Sequence, residues 1–237
     1  MSSNSCTRCF GPPYPKNGVI EKREIGTPQG GPVSPVLANI LLHELDMELE
    51  ARGHKYVRYA DDLMVLCRSR KAAERTLERI RPFIEGTLLL RINVEKTKIC
   101  HVAHPELKFL GFGFWQKSSK EGGSLILDRP HRKSQAKCKA RLRELTSRSR
   151  GQSLDVFRRD LRRFVVGWVN YFGRSSMKVF IADTDRWLRR RIRMVYWKQW
   201  KKPSMRIRAL RKLGISDGKA YEWGHSRKGY WRIAGSW

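Results

Sequence analysis

Two adjacent aspartates, Asp61 and Asp62, sit between two β-prone runs in residues 55–67, KYVRYADDLMVLC. The pattern predicts a hairpin with its tip near Ala60 to Asp62, which presents both carboxylates outward together. Paired carboxylates of this kind suit Mg²⁺, a hard cation that takes carboxylate oxygens and substrate phosphates. A plain turn suits them too, because aspartate caps turns through its own backbone, so the chemistry needs support from elsewhere in the chain. Some comes from GTPQGGPVSP at residues 26–35, where three glycines and three prolines leave little side chain and let backbone approach a ligand. A glycine-rich entry to a helix N-terminus favours phosphate or nucleotide. The string lacks the P-loop lysine and the dinucleotide spacing, and a tight loop before a helix explains it equally well.

Other candidate ligands are sparse. Cys6 and Cys9 have metal-ligand spacing, but no second pair completes a tetrahedral zinc site. The odd total of five cysteines and the lack of a charged-then-apolar leader favour a reducing interior over secretion, hence a cytoplasmic protein. No apolar run is long enough to span a bilayer, so no membrane partner is expected.

Charge points to the partner. Lysine and arginine number 50 against 22 acids, a net charge of +28 that asks for a polyanion. Residues 1–115 hold 17 basic and 13 acidic residues, net +4, and the remainder holds 33 and 9, net +24. That second part also carries seven of the eight tryptophans, a mixture of cations and aromatic faces suited to bases and sugar-phosphate backbones. Periodicity turns Trp168, Trp187 and Trp197 mostly inward as core. The densest run, DRWLRRRIRMVYWKQWKK at residues 185–202, places Arg189, Arg190, Arg191, Arg193, Lys198, Lys201 and Lys202 close together. Charges of one sign at helical spacing repel unless an anion neutralises them, so these seven are candidate RNA contacts rather than an ordinary solvated face.

The elements that would position these residues read as α+β. Residues 1–18 mix Ser, Asn, Pro and Gly as an irregular leader. Val36, Leu37, Ile40, Leu41, Leu45 and Leu49 recur at helical spacing and Gly53 stops the helix. Ala73, Leu77, Ile80 and Ile84 predict a second helix, and LLLRINV after it reads as a strand, giving a layered unit beside the hairpin. LKFLGFGFW at residues 107–115 suggests another short hairpin, and the polar loop Lys117 to Gly123 suits a domain boundary. Beyond Ser134 the pattern is helical: Leu142 and Leu145, then Phe157, Leu161, Phe164, Val165 and Trp168, then Trp187, Ile192 and Val195, with Pro203 and Gly214 as punctuation.

In order and spacing, GTPQGGPVSPVLANILL, YADD, NVEKTKI and FLGF resemble the later conserved blocks of group II intron reverse transcriptases. RRFVVGWVNYF and the basic run resemble the maturase, or X, domain that follows the thumb in that family. The resemblance implies a partial reverse-transcriptase palm over residues 19–116 and a helical thumb and maturase domain over 117–237. It implies that Asp61, assisted by Asp62, is a catalytic metal ligand. Pro28, Gln29, Gly30, Gly31, Tyr59 and Lys96 would lie beside the incoming nucleotide and template, with Lys98 an alternative to Lys96 near the triphosphate. Leu110, Gly111 and Phe112 would belong to the primer grip, although the aromatics of this segment serve equally as core. Implied partners are group II intron RNA, with DNA target or primer and dNTPs.

Two-metal phosphoryl transfer takes carboxylates from more than one element. The family supplies another aspartate upstream of the PQG loop; this chain has no aspartate before Asp46, and its acids upstream of that loop are Glu21 and Glu24. Glu44, Asp46, Glu48 and Glu50 lie along the following helix and do not replace it. The expected two-Mg²⁺ site is thus incomplete, an upstream-encoded fingers and palm chain is a possible complement, and polymerisation by this chain alone is expected to be absent. The alternative is a noncatalytic, maturase-type RNA-binding protein.

Overall fold

The structure is a computed structural model that describes residues 33–118 and 123–237, together with the backbone of residues 15–16 and 19–20. The PQG residues Pro28, Gln29, Gly30 and Gly31, the acids Glu21 and Glu24, and the pair Cys6 and Cys9 lie outside the described residues. The chain divides into two compact units, Met1–His101 and Val102–Trp237.

In the first unit, short strands β1 (Pro15–Lys16) and β2 (Val19–Ile20) pair antiparallel. Helix α1 (Ser34–Ala51) follows, with Pro35 in its first turn, where a missing N–H costs nothing. It ends in a Schellman turn: Gly53, at φ +70°, donates to the Glu50 carbonyl and His54 to that of Leu49. Strands β3 (Lys55–Tyr59) and β4 (Asp62–Leu66) then pair antiparallel, from Lys55 opposite Leu66 to Tyr59 opposite Asp62. Helix α2 (Arg70–Pro82) is capped by Ser69, whose side chain accepts from the Ala72 N–H, and runs on into a π turn at Phe83–Thr87. Leu45, Leu49, Ile80 and Leu88 form the core, with Tyr56, Leu63 and Val65 packed against it from the hairpin's inner face.

The strand expected from LLLRINV does not form. Leu89 stands at φ +55°, outside the extended region, and Leu90 donates back to the Ile84 carbonyl. Asn93 then closes a turn by accepting from Lys96 and Thr97. The apolar run is used unevenly: Leu88 is buried and Leu90 packs against the same core, while Leu89 and Val94 are exposed.

The second unit opens on a long hairpin, β5 (Phe112–Ser118) with β6 (Ser124–Pro130), paired from Phe112 opposite Pro130 to Ser118 opposite Ser124. Residues 119–122 of the polar loop lie outside the described residues, and the two compact units divide at residues 101–102. The turn within LKFLGFGFW is reduced to an isolated bridge between Phe109 and Phe112. Helices α3 (Arg132–Leu145), α4 (Leu154–Phe172) and α5 (Lys178–Gln199) follow, then the shorter α6 (Pro203–Lys212), α7 (Asp217–Gly224) and α8 (Tyr230–Ile233). Two cores fill this unit. Cys138, Leu142, Leu145, Phe157, Leu161 and Val195 join α3, α4 and α5, and Trp168 and Trp187 pack against them. Trp197, Leu210, Ala220 and Ile233 join the end of α5 to α6, α7 and α8. Leu210 and Ala220 are 0% exposed, so the C-terminal helices carry a real interior.

Candidate functional site

Asp61 and Asp62 are both exposed at the turn between β3 and β4. Tyr59 opposite Asp62 leaves Ala60 and Asp61 as the two connecting residues, and Ala60 adopts φ +52°. Two-residue hairpin loops need a positive φ at the first central position to match strand twist, and an alanine bears that strain only where its surroundings fix it. Tyr59 is 65% exposed on the same outer face, which leaves its ring open to a planar ligand.

The surroundings come from α1. Arg58 faces inward, and its Nε donates to Asp46 Oδ1 at 2.8 Å, with Nη2 on the other carboxylate oxygen. Its Nη1 donates both to Asn39 Oδ1, at 3.0 Å, and to the Ala60 carbonyl, at 3.1 Å. The Asp46 bond raises the Arg58 pKa above the ordinary guanidinium value. Glu48 pairs with Arg52, and Glu50 accepts from the Tyr56 hydroxyl at 3.0 Å. Three of the four α1 acids are therefore engaged with basic or hydroxyl groups.

Asp61 and Asp62 supply the hard oxygen donors that Mg²⁺ takes. Among the described residues no group of three or more His, Cys, Asp or Glu side chains could hold a metal ion. The described residues therefore bring two carboxylates to this turn and no third donor beside them.

Lys96 is exposed on the turn closed by Asn93, and Lys98 is exposed two residues on. Leu110, Gly111 and Phe112 belong to the second unit. Leu110 and Gly111 both have positive φ, +48° and +85°, the signature of a tight two-residue turn. That turn is clamped: the Gly111 carbonyl accepts from the His131 N–H and the Ser134 hydroxyl, and the Leu110 carbonyl from the Tyr171 hydroxyl at 2.8 Å. A Cβ on Gly111 would come within 3.2 Å of the Phe172 ring, and Phe112 stacks on Tyr171. FLGF is thereby fastened to the end of α4.

The basic run on α5 divides into cations that hold the protein and cations that face water. Arg191 is partly buried, with Nε donating to Thr146 Oγ1 at 2.6 Å and Nη2 to the Arg143 carbonyl at 3.0 Å. Burial first, then the Arg143 charge, lowers its pKa. Arg190 donates to the Trp231 carbonyl and lies 4.3 Å from that ring's centre. Arg193 lies over Trp237 and reaches the Ala234 carbonyl, while Lys198 donates to the Arg148 carbonyl. Arg189 pairs with Asp185 at 2.7 Å, one turn back on the helix. Lys201 and Lys202 are exposed.

Sequence reasoning passed over the outer face of α4. Arg162 and Arg163 are exposed there and pair with no acid among the described residues, and nothing lies within 4 Å of where a Gly167 side chain would stand. The available signal was the arginine pair on the polar side of a strongly amphipathic helix. Arg58 was also passed over; its signal was a charged residue at an inward position of a strand, which demands a partner.

Residues 7–114 match the family described as reverse transcriptase (RNA-dependent DNA polymerase), and residues 135–214 match the group II intron, maturase-specific domain. The chain thus combines a reverse-transcriptase segment with a maturase-specific segment. Over these two segments it is similar to group II intron-encoded reverse transcriptases and maturases. Protein YkfC of Escherichia coli (strain K12) is 32% identical over 139 residues, covering 44% of this chain and 36% of that protein. Group II intron-encoded protein LtrA of Lactococcus lactis subsp. cremoris is 27% identical over 163 residues, covering 42% of this chain and 27% of that protein. Retron Ec86 reverse transcriptase of Escherichia coli is 38% identical over 76 residues, covering 30% and 23%. The matches thus span between 23% and 36% of these relatives' own lengths. Among the described residues, no helix is long and apolar enough to cross a membrane.

Proposed function

We propose that this chain binds group II intron RNA through its second unit, as a maturase does, and carries a reverse-transcriptase palm segment that does not polymerise by itself. The observation that carries this reading is a maturase-specific match over residues 135–214 on the part of the chain that holds the +24 charge. Cations exposed on α4 and after α5, Arg162, Arg163, Lys201 and Lys202, are the phosphate contacts, and Arg190, Arg191 and Arg193 shape the surface from within. Asp61 and Asp62 at the β3–β4 turn are read as the palm's YADD carboxylates, with Tyr59, Lys96 and the PQG segment as nucleotide and template neighbours, and Leu110 to Phe112 as the primer grip. When bound, Mg²⁺ would supply charge stabilisation for nucleotidyl transfer at this turn. A third carboxylate is needed for the second ion, and the described residues bring none beside this turn.

The test is a pair of assays on the purified 237-residue chain. Filter binding to a folded group II intron RNA should show affinity that survives the double change Asp61→Ala, Asp62→Ala. Primer extension with Mg²⁺ and dNTPs should show no product. Steady extension abolished by Asp61→Ala alone would overturn the second half of the reading, and RNA affinity no better than that of a neutral control protein would overturn the first.

A further inference from the structure

We infer that Arg58 is the positioning residue of the Asp61 and Asp62 turn, tying the carbonyl of the strained Ala60 to Asn39 and Asp46 on α1. A guanidinium offers five N–H donors in a rigid fork, and here four hydrogen bonds leave it in three directions. Two go to one carboxylate, fixing the plane of the fork; the pair is largely buried, with side chains 14% and 15% exposed. With that plane fixed, Nη1 is left no choice of direction, and it meets the Ala60 carbonyl and the Asn39 amide together.

Residues 39 and 46 are seven apart, two helical turns, so they share one face of α1 and address the same side of β3. Ala60 is the only residue of the β3–β4 connection with a positive φ, and its own carbonyl is the one Arg58 takes. A non-glycine residue in that region persists where its neighbours over-determine it. Arg58 does so, and it sets the direction in which the next two residues, the aspartates, leave the turn. The inference concerns the shape of the turn; its functional meaning rests on the palm reading proposed above.

Lysine at this position keeps a charge for Asp46 but has a single nitrogen, which cannot also reach Ala60 and Asn39. In Arg58→Lys the HN–Hα coupling of Ala60 should leave its wild-type value, and the amide shifts of Asp61 and Asp62 should move, while α2 amides stay in place. Adding Ala60→Gly should return the aspartate shifts toward wild type, because glycine holds a positive φ without help. A role in general packing alone would not be rescued this way. If Arg58→Lys lowers overall stability, Asn39→Ala, which removes one exposed contact, should move the same two shifts in the same direction. Unchanged Ala60 coupling in both variants, or no rescue by Ala60→Gly, overturns the inference. Broadening of the Asp61 and Asp62 amides by Mn²⁺ tests the palm reading separately: its absence in the wild-type chain counts against that reading, and the Ala60 coupling still decides the role of Arg58.

Discussion

Single side chains in this protein are used in ways their chemistry alone does not announce, and Cys138 is a clear case. It is 5% exposed among Leu142, Leu145, Phe157 and Leu161, and burial lifts its thiol from the ordinary 9.0 to about 11. A thiol whose folded pKa is raised stays protonated in the native state where the unfolded chain has already ionised. Its contribution is fully present below pH 9 and is lost as pH rises toward 11. Thermal stability should therefore decline across that interval, and Cys138→Ala should remove part of the slope in melts followed by circular dichroism. At pH 8 the native chain should alkylate at the exposed Cys100 and not at Cys138, by peptide mass analysis. Equal labelling of the two would show that the α3, α4 and α5 core is open.

At the scale of elements, the helices were legible and the functional split along them was not. Apolar residues at 3.6-residue spacing located α1, α4 and α5, because each buries one stripe: Leu45 and Leu49, Phe157 and Leu161, Met194 and Val195. LLLRINV misled because a short apolar run reads the same whether one residue or four are buried, and the positive φ at Leu89 leaves no sequence mark that a leucine shows. The α5 cations misled differently. Charge repulsion argued that all seven needed an anion, yet carbonyl oxygens and tryptophan faces satisfy several of them, and those partners come from Thr146, Trp231 and Trp237, about 40 positions away in sequence. No local spacing rule sees such pairs. Arg191→Met should leave the Arg143 and Thr146 carbonyls short of a donor and lower stability by about 1–3 kcal/mol, with little effect on RNA affinity per folded molecule. Changing Lys201 and Lys202 together to Met should do the reverse, shifting stability by no more than about 0.5 kcal/mol while weakening RNA binding. Denaturant melts and binding isotherms on the same samples separate the two outcomes, and equal stability loss from both would reject the division.

For the molecule as a whole, the three apolar cores among the described residues are each drawn from one unit: one from residues 42–90, two from residues 138–237. Cooperative stability follows cores, so residues 102–237 should fold when expressed alone, with a single denaturant transition and helical circular dichroism. That fragment keeps the excess charge, and its affinity for group II intron RNA should approach that of the full chain. Its binding should also keep the salt signature of phosphate neutralisation, a linear fall of log K with log salt. If about six phosphates are neutralised, affinity drops about three orders of magnitude between 50 and 200 mM salt. Residues 1–101, with one small core and two exposed aspartates at a hairpin tip, should bind the same RNA far more weakly. Affinity that needs both fragments together would mean that RNA is held by a surface shared between the units, and the assignment of binding to the maturase-specific half would fall. Affinity confined to 102–237 would leave the β3–β4 turn with a task that RNA holding does not require, as the palm reading proposed for its two carboxylates expects.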